Sequence, residues 1–97
     1  MATSKEYKDF ILFQLKDIDG ITIKPMMGEY LLYLNGILFG GIYDDRLLVK
    51  ITNTNKIYKM EEEVPYDLAK PMYLVSDVDN KLILKDIILN TYDGLKK

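Results

Sequence analysis

The chain has 97 residues, 48% apolar and 29% charged, the balance of one small globular domain rather than of a disordered segment. It contains no His and no Cys, which excludes disulfides, thiolate or imidazole zinc sites, cysteine nucleophiles and every Ser–His–Asp arrangement. Thirteen basic and fifteen acidic residues leave a net charge of −2, and Arg46 is the sole guanidinium, which disfavours a stand-alone nucleic-acid binder.

At the N-terminus, Thr3 and Glu6 have the spacing of a capping box. Tyr7, Phe10, Ile11, Leu15 and Ile18 then recur at helical spacing, which predicts an amphipathic helix ending near Asp19-Gly20. Ile21-Thr-Ile-Lys24 reads as a short strand closed by Pro25 and Gly28. Residues 29–34 and 37–43 flank Asn35-Gly36, a strong two-residue hairpin signal, because both residues tolerate the positive φ of a type I′ turn. That turn sets Leu34 opposite Ile37, Leu32 opposite Phe39 and Tyr30 opposite Gly41. A second turn at Asp44-Asp45 leads into a strand over 46–51, completing an antiparallel meander of four strands.

Residues 54–60 suit a short helix, and Glu61-Glu62-Glu63 reads as a solvated loop. Residues 70–75 form a further strand, with Pro71 fitting its first position or an edge. Ser76, Asp77 and Asp79 offer N-caps for a last helix over 78–92, apolar nearly all round and so expected to be buried on more than one side. The order α-β-β-β-β-(α)-β-α describes an α+β fold in a single domain over 1–97: a two-layer sandwich of about five antiparallel strands with helices on one face. Tyr7, Phe10, Ile11, Leu15, Leu32, Phe39 and Ile87 are expected in the core.

The motifs give little chemistry. Asp77-Val-Asp79-Asn80 departs from a calcium loop at Lys81, Leu82 and Ile88 and reads as helix capping. Gly36, Gly40 and Gly41 match no phosphate-binding fingerprint and read as a turn and a close backbone approach. Asp44-Asp45 is explained by turn chemistry. Met26-Met27 and Met72 read as gap-filling core beneath the first helix, with a soft binding surface as the alternative. A non-enzymatic domain without cofactor or metal is expected. With no apolar run near the roughly 20 residues of a membrane span and no secretory signal, it is expected to be cytoplasmic.

Lys24-Pro-Met-Met-Gly-Glu-Tyr30 resembles the N-terminal domain of the TfoX/Sxy family, regulators of bacterial competence genes. Phe39-Gly-Gly-Ile-Tyr-Asp-Asp-Arg-Leu-Leu-Val-Lys50, Pro65-Tyr66 and Ala69-Lys-Pro-Met-Tyr-Leu-Val75 extend the likeness in order, and Met1-Ala-Thr-Ser-Lys-Glu-Tyr7 resembles the opening of small stand-alone members. The resemblance implies helices packed on one antiparallel sheet and transfers no catalytic residue or cofactor. Longer regulators carry a second, helical C-terminal domain resembling DNA-binding modules. This chain ends at Lys97 after its last predicted helix, so autonomous DNA binding is not expected.

The functional expectation is a small regulatory or protein-interaction domain. The alternative is a ligand- or RNA-associated enzyme accessory that binds an anion where the polar ends of Lys24, Tyr30, Arg46, Lys50 and Lys70 converge. A homodimer is also expected. In the 29–43 hairpin one face carries Tyr30, Leu32, Leu34, Ile37 and Phe39, the other Leu31, Tyr33, Leu38 and Ile42, and helices cover only one face. The competing solution folds segment 51–69 back across the second face through Ile57, Tyr58, Met60 and Leu68.

Overall fold

The computed structural model describes residues 2–96. Helix α1 (Lys5–Gln14) is capped by Ser4, whose hydroxyl accepts from the Tyr7 N–H at 3.1 Å. The expected Thr3 cap is displaced by one residue because Thr3 has a stronger acceptor. Its N–H and hydroxyl donate to the Glu29 carboxylate at 3.0 and 2.7 Å, and Thr3 is buried. The helix also ends earlier than its apolar spacing suggests. Turns carry the chain through residues 15–20, and Leu15 and Ile18 remain buried there.

Strands β1 (Ile21–Met26), β2 (Glu29–Leu34), β3 (Ile37–Ile42) and β4 (Leu47–Val49) form the expected meander. Each link is a two-residue turn with both residues at positive φ: Met27-Gly28 (50°, 88°), Asn35-Gly36 (51°, 83°) and Asp44-Asp45 (53°, 55°). That is the sign type I′ turns require, and their twist matches that of the strands they join. The Asp44 N–H donates to the Glu29 carboxylate at 3.0 Å, and the Asp45 carboxylate accepts from the Ser4 N–H at 2.8 Å. One carboxylate thus ties the N-terminal arm, β2 and the β3–β4 turn together.

Leu34 faces Ile37 as expected, but a bulge then shifts the register, so Leu32 faces Gly40 and Tyr30 faces Ile42. The extra residue is Phe39, wholly buried. The shift carries Ile42 from the second face to the helix side, where it joins the core. Gly40 is required here because a Cβ would collide with the Leu48 carbonyl and come within 2.9 Å of Val49 Cα.

After β4 the chain makes one 3₁₀ turn (Lys56–Tyr58) where a longer helix is expected. Buried Asn55 holds it: its amide donates to the Lys50 carbonyl and the Thr91 hydroxyl at 2.8 Å each. The acidic run is not merely loop. Strand β5 (Glu62–Glu63) pairs with β6 (Met72–Leu74), giving a six-stranded antiparallel sheet in the order β1-β2-β3-β4-β6-β5. Helix α2 (Lys81–Leu95) is capped by Asn80, which accepts from the Leu82 and Ile83 N–H groups, rather than by Ser76, Asp77 or Asp79.

Both helices pack on one face of this α+β sheet. Ile11, Leu15, Leu32, Phe39 and Ile87 form part of the core as expected, while Tyr7 and Phe10 are half-buried at its margin. Helix α2 is buried on one side only: Leu84, Ile87 and Ile88 are covered, whereas Leu82 is 79% exposed. Among the described residues no helix is long and apolar enough to cross a membrane.

Candidate functional site

The opposite face of the sheet follows from the register. Lys24 faces Leu31, Leu31 faces Gly41, Gly41 faces Leu48 and Leu48 faces Leu74, so these side chains share the surface turned away from both helices. A strap, residues 64–71, crosses part of it. Pro65 is buried, the Tyr66 ring lies 6.2 Å from that of Tyr43, and Leu48 is fully covered. The Ala69 N–H donates to the Tyr66 carbonyl at 3.1 Å, closing a turn in which Leu68 sits at φ 68° with its side chain entirely in solvent. The fold-back alternative is thus realised, but by Pro65, Tyr66 and Ala69. Ile57 and Leu68 stay exposed, and Tyr58 and Met60 pack on the helix side.

Arg46 tethers the strap. Its guanidinium pairs with Glu63 at 3.0 Å, donates to the Tyr43 carbonyl at 3.1 Å, and reaches the Val64 and Pro65 carbonyls at 3.4 Å.

Between strap and sheet lies a groove of about 770 Å3. Met26, Leu31, Leu38, Tyr43, Ile51, Tyr66 and Met72 give it apolar walls, and Lys50 and Lys70 are its charged lining residues. Tyr43 is nearly buried, and that burial, with smaller contributions from Tyr66, Glu29 and Tyr33, pushes its phenol above the ordinary tyrosine value. Among the described residues no group of three or more His, Cys, Asp or Glu is placed to hold a metal ion.

The five anion-site candidates do not converge. Lys50 and Lys70 meet at the groove, and Lys24 stands on the same face at β1. Arg46 is occupied by Glu63 and the strap carbonyls, while Tyr30 lies on the helix side with the Lys8 ammonium 5.7 Å from its ring centre. The methionines also depart from expectation: Met26 and Met72 line the groove instead of filling space beneath α1, and Met27 projects from a turn at 98% exposure. The β1 register explains Met26, since it shares a face with Lys24. The walls at Leu31 and Leu38 were visible in the two-sided apolar hairpin. Met26 and Met72 fit the alternative of a soft binding surface, whereas Tyr66 left no signal, because its placement depends on how a long connection crosses the sheet.

A profile of the TfoX N-terminal domain matches residues 13–83. The chain belongs to that family. The matched span includes β1 to β6 and the strap, so the whole groove lies within the TfoX N-terminal domain. The domain is also similar to an uncharacterized 12.7 kDa protein in the trpE 5′ region of Spirochaeta aurantia, at 31% identity over 80 residues, covering 80% of this chain and 70% of that protein. No solved structure matches it.

Proposed function

We propose that this TfoX N-terminal domain is a non-catalytic regulatory module that works by protein interaction, with the groove on the helix-free face as its contact surface. The observation that carries the reading is the apolar concavity between strap and sheet, flanked by Lys50 and Lys70. An apolar recess with a few polar groups is the usual form of a recognition site. The family adds the regulatory sense, since the longer members it resembles are competence regulators. The domain is expected to act in the cytoplasm and to bind no DNA alone. The two-fold association expected from the apolar hairpin would use this same groove, so a second copy competes with a partner for it.

Affinity capture from the native host tests this. Wild type, Leu38→Glu in the groove floor and Leu82→Glu on the outer face of α2 are compared, after circular dichroism shows all three folded. The partner is expected on wild type and Leu82→Glu and to be missing from Leu38→Glu. A transcription factor or polymerase subunit among the captured proteins supports regulation, and a metabolic enzyme supports the accessory reading. Equal capture by wild type and Leu38→Glu would refute the groove as the contact surface.

A further inference from the structure

The groove runs from Met26 on β1 to Met72 on β6 and therefore crosses four strand spacings. At about 4.8 Å each, these span about 19 Å, the length of roughly six extended residues at 3.3 Å apiece. Its charge is of one sign. Among the described residues no carboxylate lines it, and neither Lys50 nor Lys70 has a carboxylate within 4.0 Å. Two acids on neighbouring strands are already engaged: Glu63 by Arg46, Glu29 by Thr3 and the Asp44 N–H. Asp67 is exposed on the strap, outside the lining. Lys24 on β1 and Lys50 beyond β4 lie three strand spacings apart across the sheet, about 14 Å, and two residues, about 7 Å, apart along it, so one carboxylate reaches only one end. Two carboxylates four residues apart in an extended chain reach both and project to the same side.

Resting on the groove as the contact surface, we propose that its occupant is an extended segment of a protein partner, about six residues long, with acidic residues four apart and a large apolar side chain between them. The apolar residue fills the floor at Leu31 and Leu38, and the carboxylates meet Lys24 at one end and Lys50 with Lys70 at the other. Charge complementarity of this kind sets partner choice and orientation.

Fluorescence anisotropy with three labelled peptides tests it: Glu-Thr-Leu-Thr-Glu-Leu and the same sequence with both Glu replaced by Gln or by Lys. The Glu peptide is expected to bind at least tenfold more tightly than the Gln peptide, and the Lys peptide not at all. Its affinity should fall as salt rises. The double variant Lys50→Gln/Lys70→Gln should lose about tenfold for the Glu peptide and little for the Gln peptide, and Leu38→Glu should lose both. Equal binding of the Glu and Gln peptides, each abolished by Leu38→Glu, overturns the acidic segment and leaves the groove standing. Binding that Leu38→Glu does not weaken overturns both. Failure of every peptide overturns the segment, as does lysine-dependent binding of dodecanoate alone, which would assign the groove to a free acid.

Discussion

Removing the Arg46 side chain should loosen the strap and the groove beneath it without touching the helical core. The guanidinium makes one ion pair, at 3.0 Å, with Glu63, and the two side chains are 27% and 40% exposed. Solvent screening holds such a pair to about 0–1 kcal/mol. The bond to the Tyr43 carbonyl at 3.1 Å adds about 0.5–1.5 kcal/mol, whereas the two at 3.4 Å are too long to add much. Arg46→Ala should therefore cost about 1–2 kcal/mol, a fall in Tm of roughly 5–15 °C for a domain of this size. Arg46→Lys keeps the charge but not the planar fork that spans Glu63 and Tyr43, so it should recover less than half. Thermal unfolding followed by circular dichroism gives the stability, and limited proteolysis reads the strap. Cleavage within residues 64–71 should accelerate in Arg46→Ala while α1 and α2 stay protected. Wild-type stability together with unchanged cleavage would refute the tether.

Gly40→Ala drives a methyl group into the β4 backbone and should cost roughly 2–3 kcal/mol, read as a lower denaturant midpoint; an unchanged midpoint would contradict the close approach. Leu68→Asn relieves a left-handed residue whose side chain is wholly exposed, so stability should rise by about 0.5–1 kcal/mol, and any loss would show that Leu68 makes a contact of its own. Burial raises the Tyr43 phenol, and burial with Asp45 nearby raises that of Tyr7. Their contribution is therefore complete below pH 10, the unfolded value, and is lost as pH climbs through the higher folded values. Tyr43→Phe should flatten that alkaline decline in chemical denaturation, and an identical decline would remove Tyr43 as its source. In a mobility-shift assay at physiological salt, nanomolar protein should leave DNA unshifted, since Arg46 is already occupied; a sequence-selective shift would overturn this.

Most of the sheet was legible because local chemistry dictates it. Asn35-Gly36 and Asp44-Asp45 fix two of the three hairpin turns, and short continuous apolar runs supply the strands between them. Three features needed tertiary competition. Ser4 caps α1 because the Glu29 carboxylate takes Thr3. The bulge at Phe39 follows from Gly40 meeting β4, which no turn signal encodes. Glu62–Glu63 becomes a strand because β6 offers an open edge and Arg46 holds Glu63, while Glu61 and Glu62 stay in solvent as an acidic run prefers. Of the candidate site, the apolar second face and the lysines at 50 and 70 could be read from alternation, but their roof could not. The strap crosses the sheet through a long connection whose path is set by Pro65, Tyr66 and one guanidinium.

The most direct test of the groove uses four of the five methionines as reporters. With methyl-13C-methionine protein and the captured partner, Met26 and Met72 line the groove, while Met27 projects from a turn and Met60 packs on the helix side. Adding partner should shift or broaden the methyl signals of Met26 and Met72 and leave those of Met27 and Met60 in place. Changes confined to Met27 or Met60, with Met26 and Met72 unmoved at saturation, would contradict binding on the helix-free face.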